Sequence, residues 1–172
     1  KTKYVKLDGV AYWAKVYKPD EYNGAKRWSL KFYFTDESYE IYKTLGSKKK
    51  VGEDDLGKYW QPLRPITKLI KGRTVYFTPP IIENENGEAI VKYVDSNDKV
   101  VRSYEDPNLV IKREGEPVLI GNGSEVELTL CVYPTAMTTG NRFESLKIKN
   151  LVEYEAPSDE PGDVGTEPSE LW

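Results

Sequence analysis

VAYWAKVY, residues 10–17, and RWSLKFYF, residues 27–34, decide the class of this fold. Both alternate side chains with a period of two, the pattern of a half-buried β-strand. In the first, Val10, Tyr12, Ala14 and Val16 share one face, and Ala11, Trp13, Lys15 and Tyr17 share the other. In the second, Trp28, Leu30, Phe32 and Phe34 are expected inward, and Arg27, Ser29, Lys31 and Tyr33 outward. Residues 19–24, rich in Asp, Asn and Gly, make the turn between them, and Gly9 is expected at a bulge. Each strand therefore presents basic residues beside aromatic ones.

Working outward, Thr35 caps a short helix reaching about Leu45, with Asp36 and Glu37 in its first turn and Gly46 as its stop. Residues 47–65 read as a long loop carrying Lys48, Lys49, Lys50, Lys58 and Arg64, with Tyr59 and Trp60 among them. Loops of that length are uncommon in compact domains unless they bind something. Residues 73–78 form a third strand closed by Pro79 and Pro80, and residues 88–94 and 99–104 pair as a hairpin. The Gly-Asn-Gly turn at 121–123 leads into a strand at 125–133 whose Val126, Leu128, Leu130 and Val132 face the core. A last strand at 145–152 turns Leu146 and Ile148 inward. About six short strands, one short helix and many turns predict a mainly β protein, an OB-fold-like Greek-key barrel.

Charge divides the 172 residues differently. Residues 153–172 hold seven carboxylates and no Lys or Arg, and three prolines and two glycines break any regular period. Such a segment buries too little apolar surface to offset its ordering entropy, so a disordered acidic tail is expected. Residues 1–152 form the single domain, with 25 basic and 21 acidic groups. The cations concentrate in residues 1–73, where 17 Lys or Arg face 9 Asp or Glu. The tail is therefore expected to fold back onto the first half of the body.

Motifs for catalysis are missing. There is no His, a single Cys131, and no GxxxxGK[ST], GxGxxG or GxSxG. The usual zinc sets and a His-assisted nucleophile are excluded, and no cofactor or metal is expected. Cys131 reads as a structural thiol. No apolar run is long enough to span a membrane, and no signal peptide is evident; Lys1 in place of an initiator Met suggests a processed start.

What stands out is cation interleaved with aromatic: Trp13, Lys15 and Tyr17; Arg27, Lys31 and Tyr33; Tyr59, Trp60 and Arg64; Lys71, Arg73 and Tyr76; and the run Lys48, Lys49 and Lys50. Cations follow a phosphate backbone and aromatic faces stack on bases, which is how single strands are bound without reading sequence. Trp28, Phe32 and Phe34 are assigned to the core, whereas Trp13, Tyr33 and Trp60 are expected to stack on DNA.

The segments PDEYNGAKRWSLKFYFTDE (19–37) and IGNGSEVELTLCVYPT (120–135), the Gly-stopped helix and the acidic, aromatic-ended tail resemble bacteriophage single-stranded DNA-binding proteins of the short-tailed phage replication type. The resemblance implies an OB-fold, non-specific binding of single-stranded DNA in replication, recombination or repair, and a possible homodimer. It also implies a tail that contacts replication proteins such as DNA polymerase or helicase-primase. The corresponding tail residues are Asp159, Glu160, Asp163, Glu167, Glu170, Leu171 and Trp172, where the best-known members end in Phe. It places the protein in the cytoplasm of the infected bacterial host. The readings from other classes are a phage structural or assembly protein with the tail as a tether, and a metal-dependent nuclease built on Asp and Glu.

Overall fold

The computed structural model describes residues 1–154, apart from the side chain of Tyr22. The expectations for Asp159, Glu160, Asp163, Glu167, Glu170, Leu171 and Trp172 lie outside the described residues.

The alternation at residues 10–17 belongs to a much longer strand, β1 (Lys3–Tyr22), paired antiparallel with β2 (Ala25–Phe34). Asn23 and Gly24 join them with φ of 52° and 80°, the left-handed pair that a two-residue hairpin turn requires. Helix α1 (Asp36–Lys43) follows. Thr35 and Ser38 cap it reciprocally, Ser38 N–H donating to Thr35 Oγ1 at 3.0 Å and Thr35 N–H to Ser38 Oγ at 2.9 Å.

The segment expected as one long loop instead contains β3 (Gly52–Asp54), β4 (Gly57–Trp60) and β5 (Leu63–Pro65). These strands are three or four residues long, too short to show a period. Beyond them come β6 (Thr67–Ile70), β7 (Arg73–Phe77), β8 (Ile81–Glu83) and β9 (Ala89–Val94). Then follow β10 (Ser103–Tyr104), β11 (Lys112–Glu114), β12 (Ser124–Pro134) and β13 (Thr139–Asn150).

The larger sheet runs β11-β9-β8-β13-β12-β1-β2-β4-β3, with β5 also on β2; β10-β7-β6 forms a smaller sheet. The protein is mainly β with one helix among the described residues, but the expected closed barrel is not formed. The path ends at β3 and β11, whose sequences GED and KRE place charge along both edges and oppose further pairing. The Arg113 guanidinium of β11 lies 5.3 Å from the centre of the Tyr17 ring of β1. The expected hairpin of 88–94 with 99–104 is reduced to a tight turn and a bridge between Val94 and Val100, because β10 leaves to pair with β7. Gly9 is no bulge: it pairs in register with Phe34 and Val126. A Cβ there would lie 2.4 Å from Phe32 Cζ, so the glycine makes room for that ring.

The core is drawn from β1, β2, β12 and β13, where Leu7, Leu30, Phe32, Leu128, Leu130, Phe143 and Leu146 are fully buried. Trp28 is buried, as its alternation predicts. Cys131 is buried too, and burial pushes its thiol up, which keeps it inert.

Arg64, expected on the binding surface, is the largest fully buried side chain. Its Nε donates to Thr78 O at 2.7 Å, its Nη1 to Phe143 O at 3.2 Å and to Glu144 Oε2, and its Nη2 to Arg102 O at 2.8 Å. Glu144 Oε1 accepts from Arg142 Nη2 at 2.8 Å. One guanidinium thus ties β5 to β13 and to the chain on either side of β8 and β9. Removing one partner of a buried pair leaves a desolvated charge, at a cost of about 3–5 kcal/mol. Glu144→Ala should therefore lose stability of that order in urea unfolding, while Glu53→Ala, which breaks the exposed pair with Lys58, should lose only about 0–1 kcal/mol.

Candidate nucleic-acid interface

β1 cannot follow one regular alternation, because Ala11 and Ala14 are both buried. The ladder shows how. Between the pairs Tyr12↔Lys31 and Lys15↔Ser29, β1 advances by three residues and β2 by two, the single extra residue of a β-bulge. Trp13 sits in that bulge at φ 51°, and its indole is turned out to solvent, 39% exposed. The Gly-Asn-Gly loop holds the bulge from behind. Trp13 N–H donates to Asn122 Oδ1 at 2.8 Å, and Gly123 N–H to Ala11 O at 3.0 Å. Gly121 is required there, since a Cβ would lie 2.5 Å from Val152 O.

The exposed indole opens onto a groove of about 470 Å³, lined by Trp13, Lys15, Lys31, Lys50, Tyr59, Trp60 and Gln61. Tyr59 reaches it from β4, across from Gly52, where a Cβ would lie 2.5 Å from the Tyr59 ring. Lys31 Nζ stands 4.0 Å above the centre of the same ring. Asp54 steadies this wall, accepting from Tyr33 Oη at 2.7 Å and pairing with Lys31 at 3.4 Å. The Tyr33 hydrogen bond, helped by Lys31, holds the Asp54 carboxyl below the usual carboxylate range. With a folded pKa below the unfolded one, the brace is intact above the ordinary Asp range and is lost as pH falls through the folded value. Lys15 pairs with Asp20 at 3.1 Å, and Lys50 is exposed.

The other expected contacts separate. Trp60 is 3% exposed and stands in the core, stacked on Phe34 at 6.0 Å with 10° between planes and against Tyr42 at 4.7 Å. Tyr33 is 5% exposed, its ring edge against Tyr12 at 5.2 Å. Neither offers a free face, and the expectation that they stack on DNA is corrected. Phe34 of β2 and Tyr42 of α1 cover Trp60, while Tyr12 of β1 and Tyr59 of β4 cover Tyr33, contacts that alternation within β2 alone cannot reveal. Lys71, Arg73 and Tyr76 lie on the smaller sheet. Lys71 is in the β6–β7 turn, Arg73 pairs with Glu105 at 3.3 Å, and Tyr76 stacks on Tyr104 at 5.3 Å. Tyr17 lies under Arg113, away from these groove walls. Lys48 is exposed, while Arg27 and Lys49 line a second groove together with Lys26, Lys68 and Tyr133. Sequence reasoning passed over these last three. Tyr133 alternates with the inward residues of β12, and that alternation was the signal available for it. Among the described residues, no three His, Cys, Asp or Glu side chains cluster to hold a metal ion.

The class so defined is a small, mainly β fold with one capped helix and a groove that combines aromatic faces with ammonium groups. No family model and no curated protein sequence matches the chain. Its fold is similar to the crystal structure of gp2.5, a single-stranded DNA binding protein encoded by bacteriophage T7, with a TM-score of 0.53 and 13% identity over 95% of this chain and 94% of that one. At that identity the likeness is one of fold.

Trp60→Ala should lose about 3–5 kcal/mol in denaturant unfolding, as buried aromatic truncations do, whereas Trp13→Ala should lose far less. Trp13→Gly should be more stable than Trp13→Ala by about 1 kcal/mol, because glycine occupies the left-handed region without a Cβ clash.

Proposed function

We propose that this chain is a sequence-non-specific single-stranded DNA-binding protein, using no cofactor and performing no catalysis. The observation that carries the reading is the groove in which Trp13 and Tyr59 stand beside Lys15, Lys31 and Lys50. The exposed Trp13 indole offers a stacking face to any base, and the three ammonium groups match a phosphodiester backbone. The shared fold with gp2.5 supports it. Duplex DNA hides its base faces, so single strands should be preferred.

The setting is proposed with it: phage DNA replication, and by extension recombination and repair, in the cytoplasm of the infected bacterial host. Residues 155–172 carry Glu155, Asp159, Glu160, Asp163, Glu167 and Glu170, which compete with DNA for the same cations at high effective concentration. Leu171 and Trp172 dock a replication protein such as a DNA polymerase or helicase-primase, where a buried aromatic anchor would supply much of the affinity. A homodimer is compatible with this arrangement.

Titration of intrinsic Trp fluorescence with oligo-dT tests the central claim. Binding should quench Trp13, exceed binding to duplex, and weaken with salt at a log–log slope of about −2, from three lysine contacts at ~0.7 each. Trp13→Ala should weaken binding by roughly 1–3 kcal/mol, at a stability cost far below that of Trp60→Ala. Equal affinity for duplex, or indifference to salt, overturns the reading. Deleting residues 155–172 should raise affinity most at low salt, where screening is weakest.

A further inference from the structure

The second groove is larger than the first, about 600 Å³ against about 470 Å³, and its chemistry differs. Lys26 and Arg27 of β2, Lys49, and Lys68 of β6 bring four cations to its walls, and no carboxylate among the described residues lines it. In the first groove, by contrast, Lys15 and Lys31 are paired with Asp20 and Asp54. Among the described residues none of Lys26, Lys49 and Lys68 forms an ion pair. Glu21 stands opposite Lys26 in the ladder without forming an ion pair with it. Like charges gathered in one groove repel one another. Lys49 registers this: surrounding protein first, then Arg27 and Lys68, hold its ammonium below the ordinary lysine value although the residue remains exposed at the surface.

Tyr133 is the aromatic residue of the wall, and its ring is already taken. Lys68 Nζ lies 4.7 Å from its centre and donates to its hydroxyl at 2.9 Å, and the Arg142 guanidinium lies 5.7 Å away. The groove therefore offers charge without a stacking face. It meets the stacking groove at consecutive residues, Lys50 lining one and Lys49 the other.

We propose that the second groove is a phosphate-tracking channel, a separate subsite that takes the phosphodiester backbone of the same single strand after it leaves Trp13. It relies on the single-strand reading given above, and it divides the path into a base-stacking half and a backbone-only half with the lysine loop as the threshold. Relief of the crowded charge on Lys26, Lys49 and Lys68 makes this half the more salt-sensitive one.

Fluorescence anisotropy with dye-labelled oligo-dT of about 4 and about 12 nucleotides, within the span of one such domain, separates the halves. The wild-type protein should bind the longer strand more tightly, with a salt slope steeper by about 2 for three further lysine contacts at ~0.7 each. The Lys26→Ala/Lys68→Ala double variant should lose about 1.4 of that extra slope while binding the short strand as the wild type does. A 12-mer abasic outside four consecutive thymines should keep the full gain. The channel is overturned if the double variant binds the long strand with wild-type affinity and slope, or if removing the bases removes the gain. Failure of the wild type to bind even the short strand would overturn the stacking groove itself, a different result.

Discussion

The buried Arg64 guanidinium constrains more of this molecule than any other single group. A charge removed from water is tolerated only when its donors are met and an opposite charge lies against it. Here three backbone carbonyls and Glu144 meet that need, and they come from parts of the chain far apart in sequence. Because β5 also pairs with β2, fixing Arg64 fixes where β5 crosses the sheet. Leu63 and Pro65, its neighbours on β5, line the second groove, so the same anchor sets one wall of that surface. Arg142, the second cation on Glu144, lies 4.8 Å from the Phe77 ring and carries the network toward the smaller sheet.

A second constraint is local. The bulge at Trp13 places a large side chain at positive φ, a conformation that costs energy and persists only where the surroundings impose it. Asn122 and Gly123 impose it by completing the hydrogen bonds that the bulge leaves open. The Gly-Asn-Gly loop is in turn tied to the end of the folded body, where Gly121 N–H donates to Val152 O and Ile120 bridges to Glu153. Presentation of the indole therefore depends on segments more than a hundred residues away.

The inward positions Trp28, Leu30 and Phe32, the Thr35 cap and the inward face of 125–133 were legible in the sequence, because each rests on contacts within one element or on a simple period, whereas Ser29 and Tyr33, expected outward, are buried. Leu30, Phe32, Val126, Leu128 and Leu130 are buried as that period requires. Lys15, Lys31, Lys50 and Tyr59 were legible as members of a cationic, aromatic surface, and they do come together with Trp13. The period failed at β1, where one extra residue reverses the faces, and at residues 47–65, where the strands are too short to have one.

By itself, then, the sequence determined the mainly β class of the fold, the capped helix after Thr35 and the excess of cations in its first half, since propensity, period and charge are properties of neighbouring residues. The tertiary structure decided which aromatic and basic side chains remain available. Trp60 and Arg64 are as aromatic and as basic as Tyr59 and Lys50, yet α1 covers one and Glu144 neutralises the other. Exposure and charge pairing depend on what the rest of the chain places against a residue, and for these residues the decisive neighbours are strands and loops remote in sequence.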